Sequence, residues 1–362
     1  MAAASRPVNV HHPSPMPTAA ATLDTSPRVA AWQRELAAAI RTPEALCAAL
    51  DLDPAIVAEA RASAGGFPLL VPRGFVARMR TGDPHDPLLL QVLPRAGERE
   101  VAPGFTADPL EERAALAAPG LVHKYAGRAL LLVTGGCAVN CRYCFRREFP
   151  YAESGASAAG VAAALAAVAD DPSLHEVILS GGDPLLVDDD RLREIVGRIE
   201  AIPHVRRLRI HSRLPIVLPE RVTDELVALL AASRLACSVV VHANHPAELD
   251  AAVAAAIDRL RRSAAILLNQ AVLLRGVNDS ADVLAELCAR LVDCGVVPYY
   301  LHLLDRVAGT AHFEVPDDEA LRLHAALQRR LPGYAVPRLA RERPGAPAKI
   351  WLTAETGPGP VS

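Results

Sequence analysis

The chain has 362 residues, 51% of them hydrophobic, and a formal net charge of −3 at pH 7. That size allows one large catalytic domain with an appendage, and the charge balance offers no basic stripe for nucleic acid. No segment supplies the run of about 18 strongly apolar residues that a membrane span needs. Seven cysteines, an odd number, argue for a reducing compartment over a disulfide framework, so a cytoplasmic protein is expected.

Residues 1–27 are rich in Ala, Pro and Ser without a continuous apolar stretch, which predicts a disordered N-terminal segment and no signal peptide. Residues 28–115 read as mainly helical, from the apolar spacing in Trp32-Leu36-Ile40 and Leu46-Leu50, followed by a loop-rich stretch with Pro and Gly. Over 116–340 short apolar strands alternate with helices. Strands are predicted at 129–134, 176–180, 207–211, 237–242, 265–270 and 297–303, with helices near 160–170, 191–200, 224–232, 247–262, 281–293 and 317–330. Six strand–helix units in succession predict an α/β fold with parallel pairing and right-handed crossovers, an open or closed barrel. Residues 341–362 are expected to form a C-terminal loop and tail.

Such a barrel keeps its chemistry at the C-terminal ends of its strands. There the unusual residues fall: Ser180-Gly181-Gly182-Asp183, His211-Ser212-Arg213, His242-Ala243-Asn244-His245, Asn269-Gln270, and His302 followed by Asp305. Directly after the first strand stand Cys137, Cys141 and Cys144, spaced Cys-x3-Cys-x2-Cys. Three thiolates can hold three irons of a 4Fe–4S cluster and leave the fourth iron open. The alternatives for these residues alone are a zinc knuckle or three buried thiols. Zinc usually takes a fourth Cys or His at short spacing, and His175, the nearest downstream, lies beyond a helix. Cys47, Cys237, Cys288 and Cys294 lie in apolar or helical contexts that suit small buried hydrophobes.

From about residue 102 to 349 the chain resembles the lysine 2,3-aminomutase family of radical S-adenosylmethionine (SAM) enzymes. The nearest resemblance is to the branch that makes (R)-β-lysine for elongation factor P. The matching segments are Gly135-Gly136-Cys137-Ala138-Val139-Asn140-Cys141-Arg142-Tyr143-Cys144-Phe145-Arg146-Arg147, His211-Ser212-Arg213-Leu214-Pro215-Ile216-Val217, Leu273-Leu274-Arg275-Gly276-Val277-Asn278-Asp279, Pro298-Tyr299-Tyr300-Leu301-His302 and Asp108-Pro109-Leu110-Glu111-Glu112. The resemblance implies a partial (β/α)6 barrel and conversion of L-lysine to β-lysine, the R form in that branch. It also implies a 4Fe–4S cluster on Cys137, Cys141 and Cys144, SAM, and pyridoxal 5′-phosphate (PLP).

Gly181, Gly182 and Asp183 match the family's SAM-binding glycine motif, where a Cβ would hold the cofactor off and the carboxylate neutralises the methionine amino group. Ser212 and Arg213 are placed at the SAM carboxylate, with a structural ion pair as the other reading of Arg213. Gln270 and His302 are further cofactor contacts. Lys349 matches the lysine that forms the PLP Schiff base, and the only other lysine, Lys124, stands with Tyr125 and Arg128 where the family contacts the phosphate. Arg146 matches the arginine for the substrate α-carboxylate. Asp305 and Glu342 match the acids for the ε-ammonium, with Asp305 expected to be better fixed because it leaves a strand end. No zinc is expected, because no cysteine follows Cys294.

Implied partners are the small-molecule substrate, a flavodoxin or ferredoxin type electron donor, and a pathway link to elongation factor P and its lysine ligase. No nucleic-acid or membrane partner is implied, and a homo-oligomer is compatible. The alternatives are a free-lysine 2,3-aminomutase of another pathway and a different radical SAM reaction.

Overall fold

The computed structural model describes residues 30–263 and 265–353. The disordered segment expected over 1–27 lies outside these, as do residues 354–362 of the expected tail.

Strands buried on both faces need nearly continuous apolar runs, and Leu-Leu-Leu-Val, Val-Ile-Leu and Val-Val-Val supply them. Ten strands form one sheet in chain order: β1 (Leu116–Ala118), β2 (Leu121–Tyr125), β3 (Arg128–Thr134), β4 (Glu176–Gly181), β5 (Arg207–Ser212), β6 (Ala236–Val241), β7 (Ile266–Val272), β8 (Val297–His302), β9 (Arg338–Arg341) and β10 (Ile350–Trp351). β3 through β9 pair in parallel, while β1–β2–β3 and β9–β10 are antiparallel. Among the described residues no backbone pairing joins the two outer strands, so the curved sheet is a partial barrel. The six expected strands stand within two residues of their predicted limits. β1, β2, β9 and β10 are additions, too short or too polar for a periodic signal.

The crossover helices start at side-chain caps. Ser157, Asp188, Thr223 and Asp250 each accept a backbone N–H in the first turn of helices Ala158–Asp170, Asp189–Glu200, Asp224–Ala232 and Ala251–Arg261. Pro246–Glu248 forms a separate 3-10 turn, so the helix expected from 247 begins later. Helices Ala281–Asp293 and Asp317–Arg330 match expectation.

In the N-terminal region Thr42-Pro43, Asp53-Pro54 and Asp86-Pro87 open three helices, a capping oxygen followed by proline at the first helical position. Leu46, Phe75, Leu88, Leu89 and Leu93 from this region join the barrel's core. The region also grips the cysteine loop. Asn140 N donates to Leu70 O at 3.0 Å and Arg142 N to Gln91 O at 2.8 Å. The fully buried Arg142 side chain donates to Glu98 and to Phe67 O. Cys47, Cys237 and Cys288 are buried as expected of small hydrophobes, and Cys294 is partly buried.

Candidate active site

A cavity of about 530 Å³ opens at the C-terminal ends of the parallel strands. Every predicted site residue lines it except Ser212: Cys137, Cys141, Cys144, Gly181, Gly182, Asp183, Arg213, Gln270, His302, Lys124, Tyr125, Arg128, Arg146, Asp305, Glu342 and Lys349.

The three cysteines fit an iron–sulfur cluster. Burial, then the charge of the neighbouring Cys144, pushes the Cys137 thiol well up; burial, then Cys141, pushes Cys144 up to about 11. Iron binding thiolates relieves both penalties at once. The loop is seated on β4 by backbone approach. A Cβ on Gly181 would stand 2.3 Å from Thr134 O, and one on Gly182 would stand 2.1 Å from Gly136 O. The packing of the cysteine loop on the β4 turn therefore requires glycine at both positions, a reason that stands beside the cofactor clearance expected. Gly181 also takes φ +122, open to glycine.

Asp183 differs from expectation. Its Oδ1 accepts from Leu185 N (3.1 Å) and Ser212 Oγ (2.7 Å), and its Oδ2 from Arg213 N (2.7 Å) and Leu214 N (3.3 Å). A carboxylate has about four lone-pair sites, and all four are engaged: one caps the turn after β4 through Leu185 N, and three tie that turn to the end of β5. Burial pushes Asp183 up to about 6 against those hydrogen bonds. Ser212, pulled away from the cavity, belongs to the same tie. The Arg213 guanidinium takes its alternative reading: it pairs with Glu248 at 3.1 Å, and donates to Gln91 Oε1, Tyr143 Oη and Cys141 Sγ.

Along the cavity wall charges alternate in sign. Arg146 donates to both oxygens of Glu112 at 2.6 and 2.9 Å; Glu112 meets Lys124 at 3.0 Å; Lys124 meets Glu342 at 2.7 Å; and Glu342 meets Lys349. Burial pushes Glu342 up, yet the Lys349 and Lys124 ammoniums hold it well below the usual carboxylate range. Asp305, beyond β8, is the exception. Among the described residues its carboxylate accepts no hydrogen bond, and burial, then the Glu342 charge, pushes it up to about 7. Arg128 makes no ion pair among the described residues, its guanidinium lying 4.7 Å from the Tyr125 ring centre. The donor set therefore fits a phosphate at Arg128 and Lys124 beside the Lys349 amine.

Burial pushes His302 and His242 down to about 3, so both are neutral near pH 7; His242 Nε2 lies 2.8 Å from Gln270 Nε2. The sequence-based site omits Glu112, Gln91 and Glu248, and Asn244 entered only as part of a polar strand end. Glu112 was visible only as part of a matching segment, and Gln91 and Glu248 carry no motif signal because distant tertiary contacts bring them here.

The Radical SAM superfamily model matches residues 131–288. L-lysine 2,3-aminomutase of Escherichia coli is 51% identical over 326 residues, 89% of this chain and 94% of that protein. The enzyme of the same name from Haemophilus influenzae is 46% identical, covering 88% and 94%. That of Clostridium subterminale is 37% identical, covering 76% of this chain and 66% of its own length. Radical SAM enzymes carry a 4Fe–4S cluster and SAM, and lysine aminomutases use PLP. With its cysteine loop at the head of a partial barrel and this identity over 94% of the Escherichia coli and Haemophilus influenzae enzymes, the chain belongs to the L-lysine 2,3-aminomutase family of radical SAM isomerases.

Proposed function

We propose that this protein moves the α-amino group of L-lysine to the adjacent carbon, giving β-lysine, with PLP carried on Lys349. One observation bears most weight: Asp305 and Glu342, on adjoining strand ends, face one cavity with the three cysteines, and among the described residues the Asp305 carboxylate has no hydrogen-bond partner. Two acids suit a cationic substrate tail over an acidic one.

In this reading Cys137, Cys141 and Cys144 hold the cluster. Gly181, Gly182 and the Asp183–Ser212 tie shape the SAM end, and Arg213 braces Cys141. Arg128, Lys124 and Tyr125 receive the phosphate, while His302 and Gln270 wall the cofactors. Arg146 faces the α-carboxylate, and Asp305 with Glu342 the ε-ammonium. When bound, the cluster and SAM supply a carbon radical and PLP stabilises the migrating nitrogen, while the barrel shields both from water.

The finer proposal, (R)-β-lysine destined for elongation factor P with electrons from a flavodoxin or ferredoxin, is supported by the likeness of the motif segments to that branch. Anaerobic incubation of the protein with L-lysine, SAM, PLP and reductant tests the reaction. β-Lysine formed only when all components are present supports it; lysine left intact by a cluster-loaded, PLP-loaded preparation rejects it. The mass of elongation factor P from cells lacking the protein tests the destination, which requires the lysyl modification to disappear.

A further inference from the structure

Glu112 belongs to the N-terminal region, before the barrel begins, yet its side chain is only 4% exposed and reaches the wall of the cavity. A tight turn delivers it. Asp108 accepts Glu112 N at 3.1 Å and Arg113 N at 3.3 Å, and between them Glu111 takes φ +49, a left-handed conformation unfavourable for a side chain of this kind. Burying an isolated carboxylate is costly, so it needs cations. Glu112 has two, 12 and 34 residues further along the chain: Lys124 and Arg146. Though burial pushes Glu112 up, these cations hold it below the usual carboxylate range.

The consequence lies in Arg146. A guanidinium has five N–H donors. Nε and one hydrogen of Nη2 go to Glu112, and Nη1 donates to Ser180 Oγ and Gly181 O, both at 3.1 Å. One N–H, on Nη2, is left. The protein thus already engages the guanidinium edge that could grip a substrate carboxylate at two points.

We propose that Glu112 is a positioning residue: it turns Arg146 so that a single N–H meets the substrate α-carboxylate, and as the shared counter-ion it tempers the charge that Lys124 offers the cofactor phosphate. This inference rests on the roles given to Arg146 and Lys124 under Proposed function. Removing the charge but keeping the shape, as in Glu112→Gln, leaves two cations less neutralised and Arg146 less oriented. Anions then bind more tightly, while the bound substrate is misaligned, an error that lowers turnover by roughly tenfold or more.

The test uses cluster-reconstituted holoenzyme. For Glu112→Gln the expected result is a kcat roughly tenfold or more below wild type, with a lower KM for L-lysine and a lower PLP dissociation constant by equilibrium dialysis. A lower melting temperature with kcat, KM and PLP affinity all unchanged would mean a purely structural carboxylate and overturns the proposal, as does a raised KM with weaker PLP binding. Glu112→Asp keeps the charge but is one methylene too short to span both cations. It should hold PLP as wild type does and show reduced kcat, so wild-type kcat in this variant also overturns the proposal and decides the matter if Glu112→Gln does not fold. Should wild-type enzyme leave lysine unchanged, the reading under Proposed function fails. PLP affinity alone then decides for Glu112, tighter in Glu112→Gln supporting it and unchanged rejecting it.

Discussion

Lys124 on β2 and Glu342 just beyond β9 meet at 2.7 Å across the side where the sheet does not close. An ion pair, not a backbone ladder, completes the wall of the barrel there. Because Lys124 also touches Glu112 and Glu342 also touches Lys349, one pair links the N-terminal region, β2, the end of β9 and the proposed PLP lysine. A binding site closed by side chains can admit a large cofactor without breaking strand pairing.

Lys124→Ala leaves two largely buried carboxylates with one cation fewer, a loss on the order of 3 kcal/mol when a buried pair is broken. A lower denaturant midpoint and weaker PLP binding are expected, both largely restored in Lys124→Arg. An unchanged midpoint in Lys124→Ala would show that the pair contributes nothing to closure.

Asp305, raised to about 7, is neutral in much of the protein below that pH. The folded chain then keeps a proton that the unfolded chain releases near pH 4, so this group's contribution to stability is fully present below about pH 4 and is lost as pH rises towards 7. A cation bound beside Asp305 is favoured in the opposite sense. Affinity for L-lysine should rise from about pH 6 to about pH 8, where the ε-ammonium stays charged, and Asp305→Asn should both lower the affinity and flatten the rise. An equal pH slope in wild type and Asp305→Asn would remove Asp305 from the ammonium site.

Gly182→Ala drives a Cβ against Gly136 O, so the cysteine loop must move. Iron bound per chain should fall by more than half after anaerobic reconstitution. Gly197→Ala, with open space around the added carbon on helix Asp189–Glu200, should keep its full iron content. Equal iron in the two variants would separate cluster assembly from this contact.

Lys349→Ala removes the amine proposed to carry PLP. Borohydride reduction followed by peptide mapping should fix PLP to Lys349 in wild type and to no residue in the variant, with iron content unchanged. A labelled Lys124 peptide in wild-type protein would reassign the lysine.

The parallel core was legible because its strands are apolar runs of ordinary length, and the cysteines because three thiols at short spacing after a strand have few other uses. Arg338-Leu339-Ala340-Arg341 carries no such pattern, so no strand is expected there, and the expected loop from 341 makes Glu342 less fixed than Asp305. In the structure Glu342 also leaves the end of a parallel strand and is held by two lysines. Buried charges were the least legible feature. Arg146 and Arg213 were recognised as important, but nothing local to either names Glu112, Gln91 or Glu248 as its partner; the fold brings these together from 34 to 122 residues away. The Asp183 tie had a local signal, since carboxylates favour turn N–H groups, and the resemblance outweighed it.

The most direct measurement follows the nitrogen. L-Lysine labelled with 15N at the α-amino group is incubated anaerobically with wild-type protein, SAM, PLP and reductant, and the products are separated and examined by NMR. The proposed reaction requires β-lysine with 15N on the β carbon and SAM consumed in far less than one equivalent per turnover. Faster turnover of glutamate than of lysine, or labelled nitrogen found only at the α carbon while SAM is cleaved, would contradict it.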